Sequence, residues 1–335
     1  MTEMKRKTIP RDISWLSFNG RVLQEAADPT VPLKERIKFL GIFSNNTDEF
    51  FRVRVATLKR MVEFGPKIKN MHLEQAPADI LNEIQEIVLD QQAEFNRIWE
   101  EVRAELENTG IYLVTEKDLD PLQQAFVKKY FEEEVRSNII PLMVESVNQL
   151  PYLREKSIYL GVVLSRTDHS LKRKYAIIEV PSKVMGRFKE LPSPDDEHHI
   201  ILLEDVIRYN LSSIFSFFGY DHFESWVFKI TKDAEIDIDN DVSTTLIQKI
   251  EKGVKNRRKG KAVRFVYDKE MEPSLLEFLM KKFNISKKDG IIPGGRIHNF
   301  RHFMDFPDVF PEGNKRKKPF LHPLLKDSNR VTDVV

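Results

Sequence analysis

The stretch ADILNEIQEIVLDQQAEFNRIWEEVRAELENTG, residues 78–110, carries apolar residues at three- and four-residue steps: Ile80, Leu81, Ile84, Ile87, Val88, Phe95, Ile98, Trp99, Val102 and Leu106. That period places them on one face of a helix, so the spacing predicts a single long helix with a continuous apolar stripe. Asn108 and Gly110 stop it, since both residue types accept the left-handed backbone that closes a helix. Everything before this stretch reads as helix and everything after it reads differently. The chain is therefore expected to be α+β, with an all-helical N-terminal domain followed by a mixed α+β domain and a boundary near 110.

Upstream, an amphipathic run opens at Ser14-Trp15 and closes at Asp28-Pro29, because a proline disfavours helix in the residue before it. Pro32 suits a first helical position for Leu33 to Phe43, and a further helix is expected from Thr47 to about Val62. Downstream, IYLV at 111–114 reads as a strand and Pro121 to about Val135 as a helix. The runs KSIYLGVVLSR and RKYAIIEVP read as strands joined by a polar loop. Strands at about 199–203, 225–231 and 262–267 alternate with helices at about 204–217, 242–257 and 273–283. Beyond Phe306 the chain is rich in Pro and Lys and reads as a linker.

At 335 residues the chain is long enough for two domains with proper cores. An apolar fraction of 41% beside 31% charged residues is that of an ordinary folded protein. Fifty-three basic against 52 acidic residues leave a net charge of +1, so any affinity for anions must come from local patches. The absence of cysteine excludes disulfides, thiolate zinc sites and cysteine nucleophiles in this chain. The charged N-terminus lacks a signal peptide's apolar core, and no apolar run approaches the roughly 18 residues needed to cross a bilayer. The expected location is the cytoplasm.

Five segments could carry chemistry. In FLGIFSNNTDEFF, residues 39–51, Asn46 fits an N-cap with Glu49 completing a capping box, while the pair Asn45-Asn46 offers carboxamides able to read a base edge. In IIPGGRIHNFRHFMDFP, residues 291–307, Gly294-Gly295 with Arg296 at an apparent helix start suggests an anion-binding nest. His298 and His302 would share one helical face there, yet position 299 is Asn where a zinc-protease pattern needs Glu. KGVKNRRKGKAVR at 252–264 and Lys315–Lys318 are basic runs, read either as solvated helix ends or as an anion surface. TKDAEIDIDND sets Asp233, Glu235, Asp237, Asp239 and Asp241 two apart, but Val242 and Gln248 break the calcium-loop pattern, so a polar strand face is expected. No nucleophile motif is present.

The segment DISWLSFNGRVLQEAADPTVPLKERIKFLGIFSNNTDEFFRVRVA resembles the N-terminal signature of the polyphosphate kinases that work through a phosphohistidine. The resemblance continues through YAIIEVPS, TKDAEIDID, AVRFVY and IIPGGRIHNFRHFMDFP. It implies an ATP:polyphosphate phosphotransferase whose cofactors are ATP and magnesium, built from a helical N-terminal domain, a head domain with dimer contacts, and two phospholipase D-like domains. On that pattern residues 1–109 cap the nucleotide, 110–317 form the head, and 318–335 lead into a catalytic domain the chain does not contain. The nucleophilic histidine and the magnesium ligands belong to the C-terminal part, so no catalytic or metal residue is assigned here, and the 335-residue chain alone is expected to be inactive.

The resemblance further implies that an asparagine of the SNN motif contacts adenine. An ungapped match puts it on Asn46, with Asn45 as the neighbour. The implied partners are ATP or ADP, polyphosphate and a second copy in a homodimer or larger homo-oligomer, with neither nucleic acid nor membrane expected. From the basic runs alone, a stand-alone polyanion-binding or dimerisation module is the competing expectation.

Overall fold

The computed structural model describes residues 9–64, 75–144, 153–154, 156–233, 262–285 and 290–311. The predicted helix 242–257, the Glu235–Asp241 stretch, most of the first basic run and all of 312–335 lie outside the described residues.

Helices α1 (Arg11–Ala27), α2 (Leu33–Phe50), α3 (Ala56–Phe64) and α4 (Pro77–Asn108) make up the N-terminal part. The α4 stripe buries Ile80, Ile84, Val88, Phe95, Ile98, Trp99, Val102 and Leu106, as its period requires. Gly110 then takes φ +78° and its N–H returns to the Glu107 carbonyl, the turn for which glycine is suited. One expectation fails instructively. No helix ends at Phe43 or begins at Thr47: α2 runs unbroken through Ser44-Asn45-Asn46-Thr47 to Phe50. A single wide π-type turn, Phe51–Val55, then connects it to α3. Asn46 is therefore not an N-cap, and Glu49 pairs with Arg52 at 3.1 Å and Lys156 at 3.6 Å instead of closing a capping box. Pro32 precedes the first helical residue of α2, Leu33, by one position.

Among the described residues the remainder forms two sheets. A three-stranded sheet has the order β1-β6-β5, with β1 (Ile111–Val114) parallel to β6 (His198–Leu202) and β5 (Phe188–Leu191) antiparallel to it. A six-stranded sheet has the order β2-β4-β3-β7-β8-β9, built from Leu142–Met143, Lys174–Val180, Ile158–Ser165, His222–Lys232, Ala262–Asp268 and Gly290–Gly294. Only β8 and β9 pair in parallel there, because a helix carries the chain between them. Sequence patterning misses the short strands β2, β5 and β9.

Strand β3 explains its own run of apolar residues. Ile158, Leu160, Val162 and Leu164 face a core closed by α5 (Pro121–Tyr130), while Tyr159 and Val163 face the crossover helix Pro273–Lys282. Both faces are covered, so the strand reads as continuous rather than alternating. Among the described residues three short helices, α6 (Ser182–Met185), α7 (Leu203–Tyr209) and α8 (Leu211–Ile214), lie between them in sequence, so the crossover helix is numbered α9. Asp120 caps α5 reciprocally with Gln123.

The helical part does not keep a core to itself. Leu40, Phe95, Ile98 and Trp99 pack with Ile200 and Leu202 of β6 and with Phe300, Phe303 and Phe306. Trp99 meets the Phe300 and Phe303 rings edge-on at 4.8 and 5.2 Å. Burial of each such ring stabilises the junction by about 2–3 kcal/mol. The C-terminal part is thereby welded to α2 and α4, and that junction positions the SNN stretch.

Candidate functional site

Because α2 is continuous, consecutive residues of SNNTDE face different partners about 100° apart. Asn46 turns toward α1. There Asn19, fully buried, accepts from Asn46 Nδ2 at its Oδ1 (3.1 Å) and donates through Nδ2 to Thr47 Oγ1 (3.0 Å). The Thr47 hydroxyl donates in turn to the Phe43 carbonyl one turn back, at 2.8 Å. The polar tetrapeptide is thus satisfied sideways by a neighbouring helix, and capping is unnecessary. Asn45 and Asn46 are both half-buried, and the Asn45 side chain makes no hydrogen bond among the described residues.

Asp48 turns the other way, into the sheet. It is 5% exposed and receives Lys229 of β7 on Oδ2 and Arg264 of β8 on Oδ1, the latter at 2.8 Å. Both cations are buried as well, and Arg264 lies 5.0 Å over the Phe51 ring. Burial pushes the Lys229 ammonium and the Arg264 guanidinium below their ordinary values, and the Asp48 carboxylate opposes both shifts. Lys229 also donates to Asn299 Oδ1 at 3.2 Å. Asn299 is a hub: its Nδ2 donates to the Lys156 carbonyl, its own carbonyl accepts from Arg187, and its backbone is left-handed at φ 56°. Arg187 is held by Glu204 at 2.5 Å with both side chains 1% exposed.

The structure revises the 291–307 segment. Gly294 ends strand β9, and neither Gly294 nor Gly295 has the positive φ that a nest uses. Gly294 is small because the His298 ring lies against it, where a Cβ would come within 2.6 Å of Cε1. The helical turn starts at Phe300, of 3-10 type, and not at Arg296, so His298 lies outside it and the two histidines do not share a helical face. His298 is 5% exposed, its Nε2 has no hydrogen-bond partner among the described residues, and burial, with Lys229 nearby, holds its pKa at about 3. His302 is lowered to about 3, chiefly by burial and then by Arg187. Both imidazoles are therefore neutral at physiological pH.

Arg296 bridges Glu116 and Asp205, the latter at 2.6 Å; burial works against its charge and the two carboxylates outweigh it. It lines a cleft of about 920 Å³ between α4, the β1 edge and α7, with Trp99, Asn96 and Lys269 also on its walls. Gly295 reaches the same cleft, whereas Gly294 and His298 sit behind it and His298 faces a cavity of about 30 Å³ beside Asp48. The five residues of the proposed anion nest are thus divided among separate environments. Of the first basic run, Arg264 is neither solvated nor on an anion surface, being the buried partner of Asp48. Asp233 accepts from Arg60. Among the described residues no group of three or more His, Asp or Glu could hold a metal ion, and no helix is long and apolar enough to cross a membrane.

Sequence reasoning passed over Asn19, Asp48, Lys229 and Asn299, and took Arg264 only as the end of a basic run. The signal was present in three of these five: Lys229 interrupts WVFKIT and Arg264 interrupts AVRFVY, and a charge inside an apolar strand has to be paired. Asn19 likewise interrupts the buried α1 stripe between Leu16 and Leu23.

The fold and this site define an α+β protein in which a helical unit is ion-locked to a mixed-sheet unit, with two carboxamides standing at the junction. The profile "Polyphosphate kinase N-terminal domain" matches residues 8–114 and "Polyphosphate kinase middle domain" matches residues 122–306. The chain belongs to the polyphosphate kinase family. It is 41% identical over 309 residues to the polyphosphate kinase of Vibrio parahaemolyticus, covering 90% of this chain and 43% of that protein. It is 40% identical to that of Escherichia coli K12, covering 44% of it. The solved polyphosphate kinase of Porphyromonas gingivalis superposes with a TM-score of 0.75 at 29% identity, over 97% of this chain and 45% of that one. The chain spans less than half the length of these relatives.

Proposed function

We propose that this chain is the nucleotide-capping and head portion of an enzyme that reversibly transfers the terminal phosphate of ATP to polyphosphate. In this reading Asn46, with Asn45 beside it, contacts the adenine, and residues of a C-terminal half supply the nucleophilic histidine. Magnesium, which neutralises phosphate charge in such transfers, would be bound there too. No step therefore runs through the metal here. The 335-residue chain alone is inactive on this reading, works in the cytoplasm, and associates with a second copy through its head.

The observation that carries the reading is the placement of SNN. Two half-exposed carboxamides stand on a helix whose other faces are fixed by Asn19 and by the Asp48 ion lock. A rigid carboxamide is what base recognition requires. In the protein encoded by the complete reading frame, Asn46→Ala should raise KM for ATP with a smaller effect on enzyme phosphorylation at saturating nucleotide. An unchanged KM sinks the assignment.

A further inference from the structure

The hydrogen bonds running from Phe43 to Asn46 have a fixed polarity. Phe43 contributes a backbone carbonyl, which can only accept. It takes the Thr47 hydroxyl proton at 2.8 Å and lies 3.5 Å from Asn19 Nδ2. The Thr47 oxygen, its proton committed, accepts from Asn19 Nδ2 at 3.0 Å. Asn19 must then point its oxygen at Asn46, and Asn46 must answer with its NH2 group at 3.1 Å. Turning the Asn19 amide over would draw the Thr47 proton off the Phe43 carbonyl and set the Asn19 oxygen about 3.5 Å from that carbonyl, two acceptors face to face inside a site with no exposure to water. What remains outward on half-exposed Asn46 is Oδ1, which receives no hydrogen bond among the described residues, together with one spare N–H.

We propose that Asn19 and Thr47 are positioning residues that orient the Asn46 carboxamide with its oxygen outward, so that the site selects purine nucleotides bearing a 6-amino group over those bearing a 6-oxo group. The proposal rests on the nucleotide reading above and adds to it the source of base selectivity. A 6-amino group donates to the presented oxygen. A 6-oxo group meets it acceptor to acceptor, the protonated ring N1 beside that group meets the spare N–H donor to donor, and Asn46 cannot turn over without breaking the chain back to Phe43. A single hydrogen bond lost in this way is worth roughly a tenfold change in selectivity.

The test compares ATP with inosine triphosphate as substrates of the complete reading frame's protein. Thr47→Val keeps the shape and removes the acceptor, Asn19→Leu removes the whole relay, and Thr47→Ser is the conservative control. The wild-type preference for ATP should fall about tenfold in Thr47→Val and Asn19→Leu, through KM rather than kcat, and Thr47→Ser should retain it. A ratio unchanged in those two variants but collapsed in Asn46→Ala overturns the relay and leaves the nucleotide reading standing. An Asn46→Ala variant with unchanged KM and unchanged ratio removes that reading, and this proposal with it. A readout independent of turnover is side-chain amide exchange by NMR. One Asn46 Nδ2 proton should exchange slowly in the wild type and rapidly in Thr47→Val, and two freely exchanging protons in the wild type overturn the relay.

Discussion

Asp48→Ala removes the carboxylate that, among the described residues, faces both Lys229 and Arg264. The three side chains are 5%, 3% and 6% exposed, so neither cation can recover water by a small rotation. Breaking a buried ion pair from one side leaves an uncompensated charge and costs about 3–5 kcal/mol. That is a large share of the roughly 5–15 kcal/mol that separates folded from unfolded chains. Among the described residues Lys229 keeps only Asn299 Oδ1 at 3.2 Å, and Arg264 keeps the Phe51 face at 5.0 Å, so neither loss is made good by them. Urea denaturation followed by circular dichroism would measure the loss, with the slope checked for constancy. Asp48→Ala combined with Lys229→Met should regain about half of the loss, because one stranded charge is gone and an apolar chain of similar length replaces it. In the complete reading frame's protein Asp48→Ala should also raise KM for ATP, since Asn45 and Asn46 ride on the same helix. A stability loss below about 1 kcal/mol, or a double variant worse than the single one, would refute the account of Asp48 as the lock.

His298 gives an acid sensitivity of definite sign. Its folded pKa of about 3 lies below the ordinary 6.5, so between those values only the unfolded chain takes up a proton, and stability falls as pH drops. The slope is about 1.4 kcal/mol per pH unit, or about 2 kcal/mol between pH 6.5 and 5. The difference between wild type and His298→Gln, measured by urea titration at pH 7 and pH 5, isolates that term. Gly41→Ala sets two effects in opposition: alanine gains about 1 kcal/mol of helix propensity, but its Cβ would lie 2.6 Å from Met304 Cγ and 3.0 Å from the Phe300 carbonyl oxygen. The backbone contact cannot yield cheaply, so a net loss of about 1–2 kcal/mol is expected as a lowered Tm, and a raised Tm would show that the junction gives way. Asn299→Ala should be worse than Asn299→Gly by roughly 1 kcal/mol in the same assay, because both lose the hub contacts and only glycine relieves φ 56°. Equal losses would remove backbone strain from the explanation.

The legible parts of the sequence were those set by period and composition. The α4 stripe followed from its three- and four-residue spacing, and its end from Gly110. The β3 run announced a strand, and the structure explains its unbroken apolar character by covering both faces. The misreadings share one cause, which is the application of local rules to residues with distant partners. Ser44-Asn45-Asn46-Thr47 has the composition of a helix boundary, but Asn19, 27 residues earlier, supplies the hydrogen bonds that keep the helix intact. Gly294-Gly295 has the composition of a nest, but Gly294 is small to admit the His298 ring.

What the sequence by itself determined was the order of helices and most strands, the α+β class and the kinship carried by the SNN segment, because these depend on neighbours within a few residues. Tertiary structure alone decided which way each residue of that segment faces. Asn46 presents an oxygen because a buried chain of donors and acceptors ends on it. Asp48 became a lock because β7 and β8, some 180 and 216 residues further on, bring two cations to one carboxylate. Hydrogen-bond polarity and buried charge pairing are properties of assembled surfaces, and no local pattern encodes them.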